Sequence, residues 1–144
     1  MKSTQENSLD CSSIVFRALI RSREYDKRLN KPASGAFLLR EEESGLSVDI
    51  RSIRPLEETI KQFRNVFAVI SWHTGGVRNI RWGEELSGER SLDVVAIPLE
   101  VNPAHAEVRG LPHPTNELAE AEYVSGLLAA QARLAWTPEE IPRH

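Results

Sequence analysis

The chain has 144 residues, of which 40% are hydrophobic and 27% charged, with a formal net charge of −3. That size suits one domain around one core, and the composition is that of a globular protein. Mild acidity argues against indiscriminate nucleic-acid binding, a lone Cys11 excludes an internal disulfide or multi-cysteine zinc site, and the apolar runs are far shorter than the ~20 residues of a membrane helix.

Met1 to Ser13 read as a flexible polar leader, with too little apolar surface to offset the entropy of ordering it. It lacks the apolar core of a secretory signal, so a cytoplasmic protein is expected. Order should begin near Ile14. Ile14 to Ile20 (IVFRALI) is rich in β-formers and favours a strand carrying Arg17, with a helix as the alternative. Arg21 to Pro32 is densely charged and reads as a loop or hairpin connection, because Pro32 biases Lys31 away from helical dihedrals.

Gly35 to Arg40 and Leu46 to Ile50 are β-like runs joined by an acidic turn, which predicts a hairpin with Gly45 free to take positive φ. Alternation places Leu46, Val48 and Ile50 on one face of the second run and Ser47 and Asp49 on the other. From Pro55 the period becomes helical, with Leu56, Ile60 and Phe63 on one side and Glu57 and Glu58 at the positive amino-terminal end. A helix of about ten residues closing at Asn65 is expected.

Val66 to Trp72 is continuously apolar and predicts a central strand. His73-Thr74-Gly75-Gly76 then reads as a tight reversal. Leu92 to Ile97 and His105 to Arg109 are two further strands, separated by Pro98 and by Asn102-Pro103. Asn116 to Trp136 predicts a helix capped by Thr115 or Asn116, with Leu118, Ala121, Val124, Leu128 and Ala132 forming its apolar stripe. The fold expected is α+β. A single domain over 14–136 would carry a mixed or antiparallel sheet of about five to six strands packed by two main helices, with a polar tail over 137–144.

Two histidines are the candidate proton-transfer groups, since imidazole titrates near neutrality. His73 ends a buried strand beside a diglycine whose amides could hold an anion. However, HTGGVRN has neither the lysine nor the spacing of a P-loop. His105 and Arg109 lie four apart in a strand and share a face with Glu107, while Ala106 and Val108 would meet the core.

Arg17, inside an apolar strand, needs a carboxylate such as Asp49 or Glu107, or a ligand. Arg78 and Arg81 with Trp72 and Trp82 would form a stacking and phosphate patch if exposed. Ser34, Ser47 and Ser71 are available as hydroxyls, but none stands in G-x-S-x-G. His73, His105, His113, Asp49 and Asp93 follow no metal-ligand spacing, and no metal is assigned. The cofactor is unknown from sequence.

The segments S-x-A-F at Ser34 to Phe37, GLSVD at Gly45 to Asp49, LDVV at Leu92 to Val95 and HAEVRGLP at His105 to Pro112 resemble those of a family of small uncharacterised prokaryotic proteins. A looser resemblance is to ADP-ribosyltransferase-like toxins, in which an early strand arginine binds NAD and a later strand supplies a serine or aromatic residue. That resemblance implies Arg17 and Ser34 or Ser47 in those places, and the chain departs from it in having no glutamate in a recognisable catalytic motif.

Two functions are therefore expected as alternatives. One is a toxin- or defence-associated enzyme handling a nucleotide or RNA phosphate, with His73 and His105 catalytic and Arg17, Ser47, Arg78 and Arg109 holding substrate. The other is a non-catalytic accessory or neutralising partner of another protein.

Overall fold

A computed structural model describes residues 7–83 and 89–138. The chain is α+β, built on a seven-stranded sheet whose paired strands are all antiparallel. In chain order its strands are β1 (Asn7–Ser8), β2 (Ile14–Leu19), β5 (Gly45–Ile50), β6 (Ala68–His73), β9 (Asp93–Ala96), β10 (His105–Arg109) and β11 (Arg133–Trp136). Two short ribbons, β3 (Tyr25–Asp26) with β4 (Lys31–Pro32) and β7 (Arg81–Trp82) with β8 (Arg90–Ser91), flank it. Spatially the order is β1-β9-β10-β5-β2-β6-β11, so β5 lies at the centre and β6 next to an edge.

The helices are α1 (Leu56–Lys61), α2 (Thr74–Arg78) and α3 (Leu118–Gln131). Val15, Leu19, Leu46, Val48, Ile50, Ile70, Trp72, Val94 and Val108 fill the core on one sheet face with Val77 of α2 and Val124 and Leu128 of α3. Period-two alternation in each strand sets this face. The Trp72 indole N–H donates to the carbonyl of Leu128 at 2.9 Å, and Phe37 packs edge-on against the same ring. Helix α2 touches both β6 and β9, although three strands separate them in the sheet, so the sheet is strongly curved.

Several expectations are corrected. Order starts before Ile14: β1 pairs with β9, Asn7 opposite Ala96 and Ser8 opposite Val95. Gly35–Arg40 forms no strand and no hairpin with β5. Ala36, Phe37 and Leu39 are apolar because this irregular segment plugs the core, and its backbone is tied to α3 where Phe37 N–H donates to the Ser125 hydroxyl at 3.0 Å.

The diglycine makes no reversal but lies within α2. The amides of Thr74 and Gly75 already donate to Ser13 and Cys11 carbonyls, so they hold no anion. Helix α3 ends at Gln131, and the expected last turn is instead the edge strand β11, antiparallel to β6. Its cap position is Glu117, and Leu118 is exposed rather than on the buried stripe. Helix α1 spans six residues, Leu56–Lys61. Residues 1–6, 84–88 and 139–144, with the first six residues of the expected leader and most of the expected tail, lie outside the described residues.

Candidate functional site

Strands β2 and β5 pair at only two positions, Val15 with Ile50 and Phe16 with Asp49. On its other side β2 keeps six registered pairs with β6. Beyond Phe16 the β2–β5 seam opens, and a cleft of about 370 Å³ occupies the opening. Arg17, Ser47, Asp49 and His105 line it, with Phe16, Phe63, Leu99 and Val101 as apolar walls. A second cavity of about 390 Å³ adjoins it and shares Arg17, Arg21, Glu24, Arg40 and Glu43.

Arg17 points to the core side of β2, in register between Val15 and Leu19, and its guanidinium reaches across the open seam. Nη1 donates to the Ser47 carbonyl at 2.7 Å, while Nε is buried and makes no hydrogen bond among the described residues. Burial pulls this guanidinium below the usual arginine range, and the carboxylates of Glu24 and Glu43 pull it partly back. The partner expected from sequence, Asp49 or Glu107, is not the one used.

His105 belongs to the opposite face. Its Nδ1 lies 3.0 Å from the Ile97 carbonyl, an acceptor only, so in the neutral ring Nδ1 carries the proton. Nε2 is left as an acceptor toward the Ser47 hydroxyl at 3.3 Å. A neutral imidazole with its lone pair facing a serine oxygen is the arrangement of a general base and its proton donor. Ser47 therefore joins the two faces of the site, its carbonyl on Arg17 and its hydroxyl on His105.

The carboxylates around the cleft are occupied internally. Asp49, buried, accepts from Thr59 at 2.8 Å, Gln62 at 2.5 Å and Asn102 at 2.9 Å, which ties α1 and the 99–102 turn to β5. Glu24 accepts from the amides of Ile20 and Arg21, and Glu43 from the amide of Arg40 at 2.7 Å. Burial pushes the Glu24 carboxyl above its ordinary range, against the opposing pull of Arg17 and the Ile20 amide.

The remaining predicted residues are elsewhere. His73 stands at the amino-terminal cap position of α2 without a capping side-chain hydrogen bond, is exposed, and does not line the cleft. Arg78 is committed to the Asp93 carboxylate at 2.7 Å, Cys11 Sγ at 3.3 Å and the Val94 carbonyl. Partial burial lowers its pKa, but those partners outweigh it and the guanidinium titrates above its usual range.

Arg109 lies along β10 against Glu107 at 3.1 Å, outside the cleft lining. The tryptophan patch is absent, because Trp72 is in the core and Trp82 is nearly buried with Arg90 stacked over it at 5.2 Å. His113 links the Arg40 carbonyl to the Thr115 amide. Among the described residues no group of three or more His, Cys, Asp or Glu side chains is placed to hold a metal ion.

The sequence did not point to Arg21, Glu24, Gln62 or Asn102. Local signals existed for two of them. Glu24 follows Arg21 by three, a capping spacing at the Ser22–Glu24 turn, and Asn102 before Pro103 suits a side chain that caps its own turn, as it does toward the Ala104 amide. No helix of the described residues is long and apolar enough to cross a membrane. No family model, curated protein or solved structure matches the chain.

Proposed function

We propose that the chain is a small cytoplasmic enzyme acting on a phosphate group of a nucleotide or RNA, in a toxin or defence setting. His105 moves the proton and Arg17 neutralises the phosphate, with Arg21 and Arg40 beside it. The observation that carries this reading is the double engagement of Ser47, which brings a proton acceptor and a part-buried guanidinium to one residue of one cleft. Among the described residues Arg17 and Arg40 form no ion pair within 4 Å, whereas Arg21 is paired with Glu24 at 3.7 Å. Phe16 and Phe63 give a base or sugar an apolar wall. His73, Arg78 and Arg109 have no part in this site.

The test compares the intact chain with Arg17→Ala and His105→Ala at matched soluble expression. Growth arrest by the intact chain, abolished by both substitutions, is the expected result, together with a loss of RNA or nucleotide turnover of at least about a hundredfold on removal of the base. Equal behaviour of all three chains would overturn the enzyme.

One observation favours the second reading, a non-catalytic partner of another protein: Phe63, Leu99 and Val101 on the cleft rim are 40%, 44% and 86% exposed. A Val101→Asp chain that loses its biological effect while His105→Ala keeps it would move the conclusion there.

A further inference from the structure

We infer that Ser47 is the nucleophile of this site and that the reaction passes through a phosphoseryl intermediate; this rests on the phosphate reading above. Three features of the structure carry it. The Ser47 hydroxyl sits at the cleft surface on an otherwise buried strand, where a substrate can reach it. The His105 tautomer is fixed by the Ile97 carbonyl, which leaves Nε2 as the only ring nitrogen able to take a proton, and that atom faces Ser47 Oγ at 3.3 Å. The serine backbone is held by Arg17 through its carbonyl at 2.7 Å, so the charge that meets the phosphate also fixes the attacking residue.

In the first step Ser47 Oγ attacks phosphorus, the P–O bond to the leaving alcohol breaks, and the serine proton passes to His105 Nε2 and then to the departing oxygen. In the second, water attacks phosphorus and gives its proton to Nε2. The Oγ–P bond breaks and Oγ recovers the proton. Nothing is oxidised or reduced, and the Ile97 carbonyl does for the imidazolium what a carboxylate does in a three-residue relay, with less charge. A serine that only bound substrate would need no acceptor ring held in one tautomer.

Diisopropyl fluorophosphate, which phosphorylates activated serines, is the probe, with intact-mass and peptide mass spectrometry as the readout. A single adduct on Ser47 is expected, absent in Ser47→Ala, slowed at least about tenfold in His105→Ala, and undiminished in Ser71→Ala. In parallel, phosphorus NMR follows a nucleoside monophosphate binding the intact chain and Arg17→Ala, and circular dichroism checks each variant for folding.

Arg17-dependent binding without a Ser47 adduct overturns the covalent step and leaves the phosphate reading standing. Absence of both overturns both, and an adduct on another serine assigns the nucleophile elsewhere.

Discussion

Glu24 sits under the Arg17 end of the cleft with its Oε1 accepting two backbone amides, from Ile20 at 3.1 Å and Arg21 at 3.2 Å. Its burial outweighs those bonds and the pull of Arg17, so its folded pKa lies above the ordinary carboxylate value of 4.5. Between those two values the folded chain binds more protons than the unfolded chain, and stability therefore falls as pH rises through that window. Glu24→Gln keeps one carbonyl oxygen for both amides and cannot ionise. Urea unfolding across pH should show the variant gaining on the natural chain above the window and matching it below 4.5. Parallel curves at every pH would show that the burial of Glu24 has no such cost.

At the level of elements, the irregular 35–40 segment and α3 depend on one hydroxyl. Ser125, fully buried, donates to the Ser34 carbonyl at 2.8 Å and accepts from Phe37 N–H at 3.0 Å. Ser125→Ala leaves that amide buried without a partner and should cost about 1–3 kcal/mol. A lower urea midpoint with an unchanged slope is the expected signature.

This segment also marks a limit of reading elements from pattern. β2 and β6 were legible as apolar runs, and β9 and β10 because Pro98 and Asn102-Pro103 separate them, and the observed bounds lie within two residues of those expected. Gly35–Arg40 has the same apolar content but spends it on plugging the core as a loop, which no period reports. β11 was hidden for the converse reason. Alanine and leucine continue the α3 pattern past Gln131 without a Gly or Pro to stop it, and only pairing with Ser71 and Ile70 of β6 makes the last four residues a strand.

For the whole molecule, the cleft exists because the sheet fails to close at one seam, and that failure is set by long-range register that no local window contains. Sequence could nominate Arg17, Ser47 and His105 singly. It could not show that β2 and β5 part after Phe16, nor that the same gap would draw in Arg21, Glu24, Arg40 and Glu43. Arg17 in that gap is costly to the fold, since a desolvated guanidinium with an unpartnered Nε gains little from the Ser47 carbonyl.

Arg17→Met keeps the apolar stem and removes the charge. It loses the donor on one carbonyl, about 1 kcal/mol, and the attraction of Glu24 and Glu43, against the larger desolvation penalty it relieves. Melting temperature should therefore stay level or rise, while affinity for a nucleoside monophosphate falls by at least about tenfold, which corresponds to one charge-assisted hydrogen bond. Thermal unfolding and phosphate titration on the same preparation separate the two effects. A variant that melts well below the natural chain would make Arg17 a structural strut, whereas one that melts level but binds phosphate equally well would leave the open seam without a ligand to account for it.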